Sequence, residues 1–255
     1  MTAPAATAAA SDTERATTGS RLAELSRDLY RRGWMPGTAG NISALLPGDR
    51  RALITASGRD KGELTADDMV LVHADSGRPL APGALRPSAE TSIHAAVYRT
   101  TGAGAVIHVH APYATATASR YRGDRVRPLR LEHFELLKGL GLADPAGTDL
   151  PVFPNWPDVG RIADDVADHL ARTPQAPPGL LIAHHGITAW GRDLAEARNR
   201  LECLEAICQL LVLGTEPAGP ATHDPAGPAT TDPIGRAATD PAGRATTDPA
   251  EENSR

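Results

Sequence analysis

Residues 104–112, GAVIHVHAP, constrain the fold more than any other stretch of the chain. The run is short, rich in β-branched residues and closed by Pro112, which predicts a strand. Side chains alternate faces along a strand, so Val106, His108 and His110 share one face while Ala105, Ile107 and Val109 share the other. Two neighbouring imidazoles in an apolar setting repel when both are charged. Each needs a hydrogen-bond partner or a metal ion.

The foldable region is bounded by composition. Residues 1–19 carry no aromatic residue and no aliphatic residue larger than Ala, and they lack the cationic start and Leu-rich core of a secretory signal; they read as a disordered N-terminal segment. Residues 221–252 divide into four eight-residue repeats, ATHDPAGP, ATTDPIGR, AATDPAGR and ATTDPAEE, with Ile234 their one large apolar residue. Such repeats bury no core, so 215–255 read as a low-complexity tail. Residues 20–214 remain, a usual size for one domain. The net charge of −5 leaves no basic footprint for nucleic acid. No apolar run approaches the ~20 residues of a membrane span. Cys203 and Cys208 fall in an apolar helical pattern, as core side chains rather than a disulfide, which fits a reducing cytoplasm.

Within 20–214, Leu22, Leu25 and Leu29 mark a first helix with Ser20 as its N-cap, ending at Gly33. Strands follow in NISALL, RALITASG and MVLVH, and a helix opens at Pro87 and Ser88 ahead of the histidine strand. An alanine-rich helix, a basic loop and a short helix or turn at LEHFELLKGLG come next. Val159, Ile162, Val166, Ala167 and Leu170 form the inner stripe of another helix, and GLLIAHHGITAWG reads as a strand interrupted by two histidines. The last helix carries Leu194, Ala197, Leu201, Leu204, Cys208 and Leu211 at helical spacing. Irregular interleaving with short turns predicts an α/β domain around a mainly antiparallel or mixed sheet, flanked by helices.

Three groups of residues can carry chemistry. Imidazoles from HVH (108–110) and AHHGI (183–187) on neighbouring strands could bind Zn²⁺ with a position left open, although H-x-H pairs also occur without metal and His184 or His185 equally suits a satisfied core histidine. The turns TAGN (38–41), SGRDKG (57–62) and PS (87–88) offer amides, hydroxyls and a lysine suited to a phosphate, and only their convergence makes a site. Glu90, Glu132 and Glu135 are acids beside apolar segments, either favoured by a helix dipole or placed for acid–base work.

The order of GWMPGTAGNIS, ITASGRDKGELTADDMVLV, RPSAETSIHAAVYR, AVIHVHAP, FELLKGL and LIAHHGITAWGRDLAEARNRLECLEAI resembles the class II aldolase/adducin family over about residues 20–213. GWMPGTAGN, SGRDKG, FELLKG, VFPNWPDV and AWGRDLAEAR resemble its zinc dehydratase branch, which removes water from a methylthio-bearing 1-phosphoketose in methionine salvage. The resemblance implies a single-domain class II aldolase-like fold, one Zn²⁺ per subunit on His108, His110 and His185, and a cytoplasmic homotetramer. It implies Glu135 as acid/base and Glu90 as a glutamate set against the metal, both catalytic. Asn41, Ser57, Gly58 and Ser88, with Lys61 nearby, fall where the family holds the substrate phosphate. His184 occupies a place where many relatives carry Gly or Asn. The alternatives are a sugar-phosphate aldolase or epimerase of the same fold, and a non-catalytic binding module, against which the filled histidine positions argue.

Overall fold

A computed structural model of the chain describes residues 11–48, 50–83 and 85–214. Eight strands form one sheet: β1 (Asn41–Leu45), β2 (Arg51–Thr55), β3 (Met69–His73), β4 (Ala105–Val109), β5 (Arg127–Glu132), β6 (Gly147–Phe153), β7 (Gly179–Ile182) and β8 (Gly186–Gly191). Their order across the sheet is β3-β2-β1-β4-β8-β7-β6-β5. Every pair is antiparallel except β6 and β7, so the sheet is mainly antiparallel and mixed, as the strand spacing predicts.

Helices cover both faces. Ala105, Ile107 and Val109 of β4 join a core with α1 (Asp12–Arg31), α3 (Pro112–Ala118) and α5 (Leu194–Leu213). Val106, one residue out of phase, joins a second core with α2 (Thr91–Thr100) and α4 (Val159–Arg172). Strand alternation thus sorts β4 between two apolar layers, and every residue of this central strand is buried. The stripe of α4 buries Ile162, Val166 and Leu170 as its spacing requires, with Asp158 capping its first turn through Gly160 N–H. On α5, Ala197, Leu201, Leu204 and Cys208 are buried, and both cysteines are free thiols.

Several boundaries differ from those read along the chain. The first helix begins at Asp12 rather than Ser20, so residues 12–19 are ordered helix and not part of a disordered segment. Ser11 is its N-cap, in a capping box with Glu14. Residues 11–17 are exposed, so no apolar stripe announces this turn. The helix after Ser88 starts at Thr91, with Ser88 Oγ accepting from Glu90 N–H one turn ahead of it. GLLIAHHGITAWG is two antiparallel strands, β7 and β8, with a turn at 183–185 between them. The basic loop contains edge strand β5, where Leu129 and Leu131 alternate inward among charged, exposed neighbours, a two-residue apolar period easily lost beside Arg127, Arg130 and Glu132. The expected disorder of residues 1–10 and the repeat tail at 215–255 lie outside the described residues.

Candidate metal centre

Sheet register gathers the candidate residues in one row. His108 on β4 pairs with Asn41 on β1 and with Thr188 on β8. Farther along the same direction Ala56, just past β2, bridges to Pro87. Ser57 donates its N–H to Arg86 O, and Ser88 follows Pro87, so the three small turns come together at the strand ends that carry the histidines.

Glu90, His108, His110 and His185 each offer a ligand atom, all within 4.8 Å of one another. The imidazole centroids are 5.3 Å (108–110), 4.9 Å (108–185) and 4.8 Å (110–185) apart, with ring planes at 79°, 80° and 87°. Three near-perpendicular rings around one point form a tripod rather than a stack. Close approach of β4 and β8 makes it possible: a Cβ on Gly186 would lie 2.2 Å from Val109 O and 3.2 Å from His110 Cα. His184, at the tip of the turn, is exposed and left-handed with φ 58°, a conformation Gly and Asn tolerate best. It is not a member of the tripod.

The electrostatics match a cation site. Glu90 Oε1 lies 2.7 Å from His185 Nε2, and Glu90 Oε2 lies 3.4 Å from His108 Nε2. Asn41 Nδ2 donates to Glu90 Oε2 at 2.5 Å. Burial opposes ionisation of Glu90, but His108, His185 and Asn41 outweigh it and hold the carboxyl well below its ordinary value. Burial pulls His108 down to about 4, opposed by Glu90 and reinforced by the other two histidines; burial and His185 lower His110 as well. Burial thus favours the neutral imidazole at His108 and His110 and the site favours the carboxylate at Glu90, the protonation states that bind a metal. His108 Nδ1 is 2.9 Å from Thr188 Oγ1, so with Nδ1 carrying the proton the lone pair points from Nε2. His108 Nε2 and His110 Nε2 are buried without a hydrogen-bond partner. A metal ion satisfies both, so the residues fit one.

The remaining candidates have distinct settings. Ser57 and Gly58 are exposed, Gly58 turning at φ 72°. Lys61 is buried, its ammonium donating to Thr38 O (2.8 Å) and Arg59 O (2.9 Å), so it ties the TAGN turn to the SGRDKG turn with one N–H left over. Burial pulls its ionisation below the ordinary lysine value. Glu135 heads a 3₁₀ helix, Glu135–Leu140, is 81% exposed, and pairs with Lys138 at 2.8 Å; the structure does not bring it into the tripod. Reading along the chain misses Thr188 and the buried network in which Ser43 Oγ meets His94 Nδ1 and Tyr98 OH, both at 2.7 Å. The H-x-x-x-Y spacing on α2 was its one local trace, since i and i+4 share a helix face.

A three-layer α/β fold with a histidine tripod and an adjoining carboxylate defines a class of metal-binding domain. Residues 20–212 match the family model described as Class II Aldolase and Adducin N-terminal domain, and the chain belongs to that family. A probable bifunctional methylthioribose-1-phosphate isomerase/methylthioribulose-1-phosphate dehydratase from Nocardia farcinica is 57% identical over 208 residues, 80% of this chain. The chain spans 37% of that relative's length. A methylthioribulose-1-phosphate dehydratase from Microcystis aeruginosa is 42% identical, covering 75% of this chain and 93% of the relative. Among solved structures, YgbL from Klebsiella pneumoniae, titled a putative aldolase/epimerase/decarboxylase, is 30% identical with a TM-score of 0.66 over 79% of this chain and 91% of its own.

Proposed function

We propose that the chain is a hydro-lyase that removes water from 5-methylthioribulose 1-phosphate to give the 2,3-diketo-5-methylthiopentyl 1-phosphate of methionine salvage, with one Zn²⁺ per subunit. The observation that carries this reading is the Glu90/His108/His110/His185 cluster in a chain similar to a dehydratase over 93% of that enzyme's length. His108, His110 and His185 would hold the ion, leaving a position for substrate. A bound divalent ion there supplies Lewis-acid polarisation of the carbon-2 carbonyl, which lowers the cost of removing the carbon-3 proton.

The chain's own groups do the rest. Ser57 Oγ, Gly58 N–H and Ser88 Oγ donate to the substrate phosphate, while Lys61 fixes the geometry of the turns that present them. Asn41 orients the Glu90 carboxylate, which is set beside the tripod. The carbon-3 proton goes to the Glu90 carboxylate or a water, and Glu135, once parted from Lys138 and protonated, gives its proton to the carbon-4 hydroxyl, which leaves as water. Exposed Leu210 and Leu213 at the end of α5, and exposed Leu136 on the 3₁₀ helix, support assembly into the homotetramer expected of the family. Among the described residues no helix is long and apolar enough to cross a membrane, in keeping with a cytoplasmic enzyme.

Elemental analysis, paired with an assay for water loss from methylthioribulose 1-phosphate on the same preparation, tests the proposal. One zinc per subunit with diketone product is the expected result. Zinc with retro-aldol products instead would favour a sugar-phosphate aldolase, a reading to which the titled activity of the Klebsiella neighbour lends support. A protein without metal overturns the catalytic reading of the histidines.

A further inference from the structure

The mechanism leaves one buried acid unused. Glu205 on α5 is 4% exposed, on a helix face otherwise lined by Leu201, Leu204, Ile207 and Cys208. A carboxylate in such surroundings is costly unless it is hydrogen-bonded, and burial pushes its ionisation upward. Its partners are backbone donors of another helix: Oε1 accepts from Tyr113 N–H at 2.9 Å and Oε2 from Ala114 N–H at 2.7 Å.

The need for that contact lies in the local sequence. Helix α3 has seven residues, begins at Pro112, and takes as its N-cap Ala111, whose side chain cannot accept a hydrogen bond. Pro112 carries no N–H, so the first free donors are those of Tyr113 and Ala114. Glu205 satisfies both from across the core. The capped turn adjoins the tripod on two sides: Ala111 directly follows His110, and Thr115 Oγ1 donates to His185 O at 3.3 Å. The far side of His110 is held by its N–H donating to Trp34 O at 2.9 Å.

We propose that Glu205 is a positioning residue for the metal centre, capping α3 from α5 so that the chain segments bearing His110 and His185 are fixed at metal-binding separation. This rests on the metal-site reading above. Metal affinity is measured on the full chain by Zn²⁺ titration against a chelating competitor, with far-UV circular dichroism as the check on folding. Glu205→Gln keeps length and volume but offers one acceptor atom and sets its amide hydrogens against the second N–H. Its affinity should fall about tenfold or more, the range seen when groups supporting metal ligands are removed. Glu205→Asp, which keeps the charge and withdraws it by one methylene, should also weaken binding and serves if the glutamine variant does not fold. Ala111→Ser in the Glu205→Gln background, supplying a local cap, should recover part of the loss. Leu201→Val, one turn earlier on α5, loosens the same helix and should leave affinity within twofold. Affinity unchanged in both Glu205 variants, or lost equally in Leu201→Val, overturns the proposal alone. A wild-type chain that binds no Zn²⁺ overturns it together with the metal-site reading.

Discussion

Gly186→Ala should empty the metal centre while leaving a folded chain. The added Cβ would meet Val109 O at 2.2 Å, the Val109 carbonyl carbon at 3.1 Å and His110 Cα at 3.2 Å. All three are backbone atoms of the central strand and its end, so no side-chain rotation relieves the clash. Restoring ordinary contact requires an opening of about 1 Å between β4 and β8. That opening falls between His110 and the residue before Gly186, His185, whose rings are 4.8 Å apart. Metal–ligand distances tolerate about 0.2 Å, so the displacement is several times what a shared ion allows. The strain itself should cost ~1–3 kcal/mol, less than the ~5–15 kcal/mol that holds a typical domain together. The assay is metal content per subunit after dialysis against a chelator, with circular dichroism and a thermal melt on the same sample. Gly102→Ala is the control, because a Cβ there meets nothing within 4 Å. A Gly186→Ala protein that keeps stoichiometric metal at wild-type affinity would show that the close approach of the strands is not what sets the tripod.

Acid stability should carry the mark of His94, which burial, aided by repulsion from His108, pulls from 6.5 to about 3. Its contribution is present above pH 6.5 and lost as pH falls toward 3, because the unfolded chain takes up the proton first; the slope is about 1.4 kcal/mol per pH unit. Denaturant melts of His94→Gln between pH 4 and 6.5 should show a shallower decline by that amount, and parallel curves would refute it. Glu135→Gln should leave metal content and stability unchanged, within about 0.5 kcal/mol for an exposed position, yet abolish turnover. A near-normal rate would remove Glu135 from the mechanism. Truncation after residue 216 should leave turnover intact, and a large loss would give the repeats a part in the activity.

Where the sequence was legible, a short-range periodicity carried the information. The alternation in GAVIHVHAP placed His108 on one face and Ile107 on the other, and the two faces of β4 do join different cores. The 3–4 spacing on α4 and α5 picked out side chains that are buried, with Val159, Ala167, Leu194 and Leu211 half-buried at the margins of the stripes. Where the first helix begins and where β5 lies were not legible that way, because the first turn of α1 is exposed and β5 offers only Leu129 and Leu131 among charged neighbours. The capping box at Ser11 was the one local sign of the former.

The chain by itself determined its donor types, the face shared by His108 and Val106, and a size sufficient for one core. It could not determine that Asn41 aims at Glu90 49 residues away, or that Thr188 meets His108 at a separation of 80. Those contacts follow from strand order and register, which depend on how all eight strands and five helices share two apolar layers. The tripod is likewise tertiary. His185 reaches His110 because a glycine lets two backbones approach where no side chain fits, and because α3 between them is held by an acid from the far end of the chain. Local pattern chooses the donors, and only packing brings their lone pairs to one point.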